Sequence, residues 1–267
     1  MFDETFDECW QLRYGTDPGE GSFPIERFLS HRSIRKFSEI PVPEALVASL
    51  IAAAQSAATS SNLQLYSIVS VQDRERRDQI ATLCADQRQV RGAAWYFAFC
   101  VDHYRLRKAA REVGETAAGL DYAEFYTMGL IDAALAAERM VCAAESLGLG
   151  ICYIGALRNH PDSIQDLLGL PDGVFGAFGL CLGWPAEESR SKIKPRLDQD
   201  AIWFRERYDT NVDTSDFEAR MLAFYESQNM PDERSWRKRS GVRADNDHLT
   251  GRHILKGWLE RLGFNRR

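Results

Sequence analysis

DYAEFYTMGLIDAALAAERMVCAAESLGLG, residues 121–150, is the longest helical pattern in the chain. Through its middle it is apolar on most sides, which marks a buried central helix rather than one lying on a surface. It ends at Gly148 and Gly150, residues suited to a left-handed cap. Working outward, ICYIG (151–155) follows as a short strand. RNHPDSIQDLLGLP (158–171) is a short helix with Pro161 near its first position and Gly169 past its end. FGAFGLCLGWP (175–185) is a further buried strand, closed by Pro185. Upstream, WYFAFCV (95–101) is a continuous apolar run, as expected of a strand covered on both faces. LQLYSIVSV (63–71) is rich in strand formers, and Asp73 begins a polar turn into a helix. The first clear helix follows Pro43, with Leu46, Val47, Leu50, Ile51 and Ala54 at helical spacing. One α+β domain with peripheral arms is the expectation.

The arms are residues 1–26, where YGTDPGEGSFP (14–24) predicts a poorly packed extension, and the region beyond residue 200. There SQNMPDERSWRKRSGVRADNDHLTGR (227–252) shows no sustained periodicity, which points to a long mobile loop or an arm wrapping a partner subunit. The single domain is accordingly bounded at 27–267, with 200–267 as its loop and C-terminal arm.

With 267 residues, 45% of them hydrophobic, the chain can bury a sizeable core. Its 33 Lys and Arg against 39 Asp and Glu leave a formal charge of -6, which argues against a nucleic-acid or anionic-membrane partner. No apolar stretch approaches bilayer-spanning length. MFDETFDECW at the start lacks the basic and apolar regions of a signal peptide. Six scattered cysteines form no C-x-x-C pair, and Cys100, Cys142, Cys152 and Cys181 sit in apolar surroundings, as reduced core residues of a cytoplasmic protein do. There is no G-x-S-x-G elbow, P-loop or Rossmann glycine motif, and the five histidines have no partner at metal-ligand spacing.

Against this acidic background HRSIRKF (31–37) concentrates His31, Arg32, Arg35 and Lys36. In an extended segment His31, Ser33 and Arg35 share one side, offering a cation-capable ring, a hydroxyl and a fork of donors suited to a phosphate. A second such element is KIKPRL (192–197), where Pro195 pushes Lys194 toward extended geometry, so that Lys194 and Arg196 project together. On the residues alone, an anion site and a pair of solvated charged loops both remain open.

The order of the motifs narrows this. HRSIRKF, ATSSNLQ (58–64), ADQRQV (85–90), AAESLGLGICYIGALRN (143–159), FGLCLGWP (178–185) and KPRL (194–197) together resemble the nitroreductase superfamily. Within it they are similar to the oxygen-insensitive NADPH nitroreductases and NADPH–flavin oxidoreductases, from about residue 27 onward. The resemblance implies a central, mostly antiparallel sheet wrapped by helices in an intertwined homodimer, with a C-terminal arm exchanged between subunits. It implies FMN at the subunit interface. His31, Arg32 and Ser33 are then expected on the phosphate side with Lys194 and Arg196, and Arg35 near the N1–C2=O end of the ring, where reduced flavin is negative. Thr59, Ser60 and Ser61 would come across the interface, and Gln87 would hydrogen-bond the polar edge of the flavin. Tyr153, Ile154, Gly155 and Ala156 would bring the backbone to the flavin face and N5. The family commonly has a second glycine where Ala156 stands, so Ala156 carries strain if that position needs positive φ.

The implied activity is ping-pong hydride transfer from NADPH, with NADH possible, through flavin N5 to a small-molecule acceptor such as a nitroaromatic, a quinone or free flavin. No protein acid or base is required. Arg234, Arg237, Lys238 and Arg239 are the candidates for the nucleotide's 2′-phosphate. A specialised flavin dehydrogenase or dehalogenase, or a non-catalytic flavin-binding protein, are the alternatives.

Overall fold

The structure is a computed structural model that describes residues 3–189, 191–230, 235–264 and 267. In chain order its elements are α1 (Phe6–Tyr14), α2 (Glu26–Leu29), α3 (Glu44–Gln55), β1 (Tyr66–Val71), α4 (Arg74–Leu83), α5 (Arg88–Gly92), β2 (Trp95–Asp102) and α6 (Tyr104–Glu112). There follow α7 (Ala123–Ser146), β3 (Gly150–Ile154), α8 (Pro161–Leu168), β4 (Val174–Gly183), α9 (Ser215–Ser227), α10 (Trp236–Arg243) and α11 (Leu255–Arg261). The chain divides into two compact units, residues 1–32 with 191–249, and residues 33–190 with 250–267.

The larger unit is built on a sheet of order β1-β2-β4-β3 in which each neighbouring pair is antiparallel. Alternation sorts its side chains. Trp95, Phe97 and Phe99 of β2, with Leu180 and Leu182 of β4 and Ile151 of β3, face α3 and α7. Tyr96, Ala98 and Cys100, with Cys152, Ile154 and Cys181, face the opposite layer of α4, α5 and α8. Every residue of β2 is buried, as its unbroken apolar run predicts. Each of its fully buried phenylalanines contributes about 1.5–3 kcal/mol of transfer free energy.

Helix α7 runs down the middle of one layer. Ala133, Ala136, Ala137 and Ala144 line its buried face, and their small side chains let α3 and the sheet approach closely. The opposite face carries Ile131 and Leu135, which are 51% and 44% exposed. The helix is therefore buried along one face within this chain, not all round. It is closed by Gly148, at φ 81°. Gly150 is not a second cap: it is the first residue of β3, where an added Cβ would lie 2.7 Å from the Ile34 side chain.

The smaller unit corrects two expectations. The N-terminal segment is not loose between residues 3 and 14. Thr5 and Glu8 form a reciprocal capping box that starts α1, and Cys9 packs in a cluster with Leu29 and Ile193. Within 227–252, where the sequence shows no sustained periodicity, α10 forms at Trp236–Arg243. Phe217, Met221 and Tyr225 of α9 bury one stripe, with Trp236 of α10 packed against it. α10 is short, so packing against the buried stripe of α9 stabilises it more than any pattern of its own.

Candidate functional site

In the smaller unit one side chain ties His31, at the start of the first cationic segment, to Lys194 of the second. Arg13, in the last turn of α1 and 5% exposed, donates from Nε to Leu29 O (2.8 Å), from Nη2 to His31 O (2.9 Å) and from Nη1 to Lys194 O (3.3 Å). Arg196 N donates back to Arg13 O at 2.9 Å. Burial alternates along both segments. Arg32 and Ile34 point inward while His31, Ser33 and Arg35 are half-buried or exposed, and Ile193 and Pro195 are buried while Lys194 and Arg196 are exposed. This is the extended geometry that the spacing of charges called for.

Arg32 departs from the expectation that it faces a phosphate. It lies on the inward side, 8% exposed, with Nη1 and Nη2 on the two oxygens of Glu4 at 2.9 and 2.7 Å and Nε on Ser30 O. That bidentate pair holds the Glu4 carboxyl below its usual pKa, chiefly through the hydrogen bond from Arg32. Its guanidinium anchors the N-terminal segment.

In the larger unit Ser33 opens a stretch pinned alongside β3 and the end of β4: Ile34 N donates to Ile151 O, Ser38 N to Trp184 O, and Phe37 bridges Pro185. Arg35 and Lys36 are exposed on it. Gln87 caps α5 after two left-handed residues, Ala85 and Asp86 (φ 61° and 54°), and its side-chain oxygen accepts from Gln89 Nε2 at 2.6 Å. Cys84 and Val90, which flank this turn, share one apolar cluster with Ile154 and Ala156, so the Gln87 turn and the end of β3 are braced by the same packing.

At that strand end the Tyr153 hydroxyl donates to Glu138 of α7 (3.2 Å), and burial, then Glu138, push its pKa well above the ordinary phenol value. Ala156 is absent from the described residues with positive φ, so the exchange for glycine carries no backbone strain. Gly155 also has ordinary φ, and a Cβ there would meet only Arg158 Nη2, at 3.7 Å. Any demand for glycine at 155 comes from what approaches the loop and not from the loop itself.

Thr59, Ser60 and Ser61 lie on a separate loop, held by a residue the sequence reading passed over. Asp132 of α7, fully buried, accepts from Ser60 N and from Leu65 N, both at 3.0 Å. Between these anchors Ser61, Asn62 and Gln64 are all left-handed (φ 49°, 55° and 53°). The available signal was one acid inside the apolar run LIDAALAA, which a packed helix retains only where it has partners.

The proposed nucleotide-phosphate cations do not converge. Arg234 lies outside the described residues. Arg237, Lys238 and Arg239 are consecutive on α10, where successive side chains diverge by about 100°. Arg237 bonds Thr214 and Ser215, and Arg239 bonds the Tyr225 hydroxyl and lies over its ring. Nearby in the same unit is a cavity of about 580 Å³ whose walls include Tyr14, Trp203, Phe217 and Trp236, with Lys194 and Arg196 on its lining. Among the described residues there is no cluster able to hold a metal ion, and no helix long and apolar enough to cross a membrane.

Comparison with known proteins gives a family and solved structures of similar fold. Residues 29–184 match the Nitroreductase family, and residues 194–267 match the Nitroreductase family, C-terminal domain. Over 201 residues the chain is 42% identical to FMN reductase (NADPH) of Bacillus subtilis, covering 75% of this chain and 79% of that one. It is 38% identical over 204 residues to the oxygen-insensitive NADPH nitroreductase of Salmonella typhimurium, covering 76% and 80%. The solved structure of the NfrA1 nitroreductase from B. subtilis superposes with a TM-score of 0.81 at 37% identity, covering 91% of this chain and 99% of that one. Both family matches leave α1 outside them.

Proposed function

This chain belongs to the nitroreductase family, and we propose that it is an FMN-dependent oxidoreductase that uses NADPH to reduce nitroaromatics, quinones or free flavin. The relatives named FMN reductase (NADPH) and oxygen-insensitive NADPH nitroreductase support the reaction class. The observation that carries the reading is the pair of extended segments whose exposed positions are cationic and whose backbones hang on one guanidinium.

The donor set fits the group. Residues 31–36 and 192–197 contain no acid. His31, Ser33, Lys194 and Arg196 supply only groups that donate to, or carry charge opposite to, a phosphomonoester dianion. Arg32 is left out of this set because its terminal nitrogens are committed to Glu4. Arg35 is assigned to the pyrimidine end of the flavin, where a cation stabilises the reduced, anionic ring. Gln87 holds the polar edge, and residues Tyr153 to Ala156 set the backbone against the ring. FMN, when bound, supplies a centre that accepts a hydride from NADPH and returns it to a second substrate, which predicts ping-pong kinetics.

Thr59, Ser60 and Ser61 are assigned to the flavin of a second copy of the chain. The exposed Ile131 and Leu135 on α7, the helix that also anchors their loop, support a homodimer formed on this face. Buried free thiols at Cys9, Cys84, Cys100, Cys152 and Cys181 support a reducing, cytoplasmic setting. The test is anaerobic mixing with NADPH: the yellow protein bleaches, and colour returns when a nitroaromatic is added. A protein that stays yellow with NADPH, or that takes up no FMN, refutes the proposal.

A further inference from the structure

The N-terminal helix α1 lies outside both family matches, yet it makes the closest-built contacts of the cationic cluster. Arg13 reaches three carbonyls with three different nitrogens, and two of those carbonyls belong to His31 and Lys194, the residues whose side chains are assigned to the phosphate. Arg196, a third member of the set, is tied to Arg13 through its amide. Fixing a carbonyl fixes the peptide plane that follows its residue, so one guanidinium sets the separation and aim of side chains 163 positions apart in sequence (His31 and Lys194).

The helix is itself firmly placed. Its capping box closes the first turn, Glu4 clasps Arg32, and Cys9 packs against Leu29, two residues before one segment, and Ile193 within the other. Burial and, after it, the charge of Arg196 push the Arg13 pKa down. Like charges are thus held together by backbone geometry, and a bound dianion relieves their repulsion.

We propose that Arg13 is a positioning residue for the FMN phosphate: it does not touch the phosphate but holds His31, Lys194 and Arg196 at the spacing that grips it. The inference rests on the FMN reading above. A structural role alone would weaken every ligand together, whereas a phosphate-positioning role weakens FMN and spares riboflavin, which has the same ring without the phosphate.

The experiment is titration of the full-length apoprotein, native, Arg13→Gln and Arg13→Lys, with FMN and with riboflavin, alongside thermal unfolding. Lysine keeps the charge but cannot span three carbonyls. Both variants are expected to raise the FMN dissociation constant by about tenfold or more, the loss of a charged hydrogen-bonding hub, while riboflavin binding changes by less than about twofold. If Arg13→Gln fails to fold, Arg13→Lys alone decides. Preserved FMN-over-riboflavin preference, or an equal loss for both ligands, overturns the inference while leaving the FMN reading intact. A native protein with no preference for FMN over riboflavin overturns both.

Discussion

Replacing Asp132 with Asn probes the loop that carries Thr59, Ser60 and Ser61. The native carboxylate accepts two backbone N–H groups at 3.0 Å each, closing the two ends of residues 60–65 onto α7. Charge-assisted bonds of this kind contribute about 1.5–3 kcal/mol apiece, so roughly 3–6 kcal/mol together. Against them stand three non-glycine residues held left-handed, Ser61, Asn62 and Gln64, at roughly 1 kcal/mol each. The bonds win in the native protein by a narrow margin.

An Asn side chain accepts from one amide but turns its NH2 toward the other, which removes about half of the favourable side and tips the balance toward a relaxed loop. The expected result is a loss of about 1.5–3 kcal/mol in unfolding free energy. Hydrogen exchange should quicken at the Ser60 and Leu65 amides, with protection in β2 scaled only by the global change. Urea unfolding and residue-resolved exchange measure the two parts. An Asp132→Asn protein within about 0.5 kcal/mol of native, with both amides still protected, would refute the reasoning that this carboxylate holds the loop.

Gly155→Ala should leave folding unchanged, since the added methyl meets nothing nearer than 3.7 Å and φ is ordinary, yet weaken FMN binding by about tenfold because the backbone then stands off the ring; equal FMN affinity by titration would show that no ring approaches this residue. His103 is buried between Phe125 and Phe264, and burial holds its pKa below 6.5. The unfolded chain then takes up a proton at higher pH than the folded one, so His103's share of stability is complete above about pH 6.5 and declines as pH falls below it. Thermal unfolding of His103→Leu compared with native at about pH 5 and pH 8 should show a smaller pH dependence in the variant; an unchanged difference would contradict this.

The larger unit was legible in sequence because its elements are sorted by burial. WYFAFCV has no polar residue to expose and can only be an inner strand, and the 121–150 pattern places α7 within a turn of its observed bounds. Where the reading overshot, a physical cause is visible. The helix looked apolar on most sides because Ile131 and Leu135 face outward in a single chain. Gly150 looked like a cap but clears space for Ile34.

Thr5 and Glu8 stand at capping-box spacing, a signal for α1 that the sequence reading passed over. Burial alternates from His31 to Arg35, and that alternation turns Arg32 inward, where Glu4 meets it. No sequence rule reveals that Arg13 joins residues 29–31 to residue 194, or that Asp132 closes a loop some seventy residues upstream. Those links are long-range hydrogen bonds from lone polar residues, which carry no period and no spacing.

The central claim is that Lys194 and Arg196 grip a phosphate borne by a flavin. Its most direct test is titration of the Lys194→Ala/Arg196→Ala apoprotein with FMN and riboflavin. Removing two charge-assisted contacts should weaken FMN by about 100-fold or more and bring its affinity toward that of riboflavin, whose binding stays as in the native protein. FMN bound as tightly by the double variant as by the native protein would contradict the account.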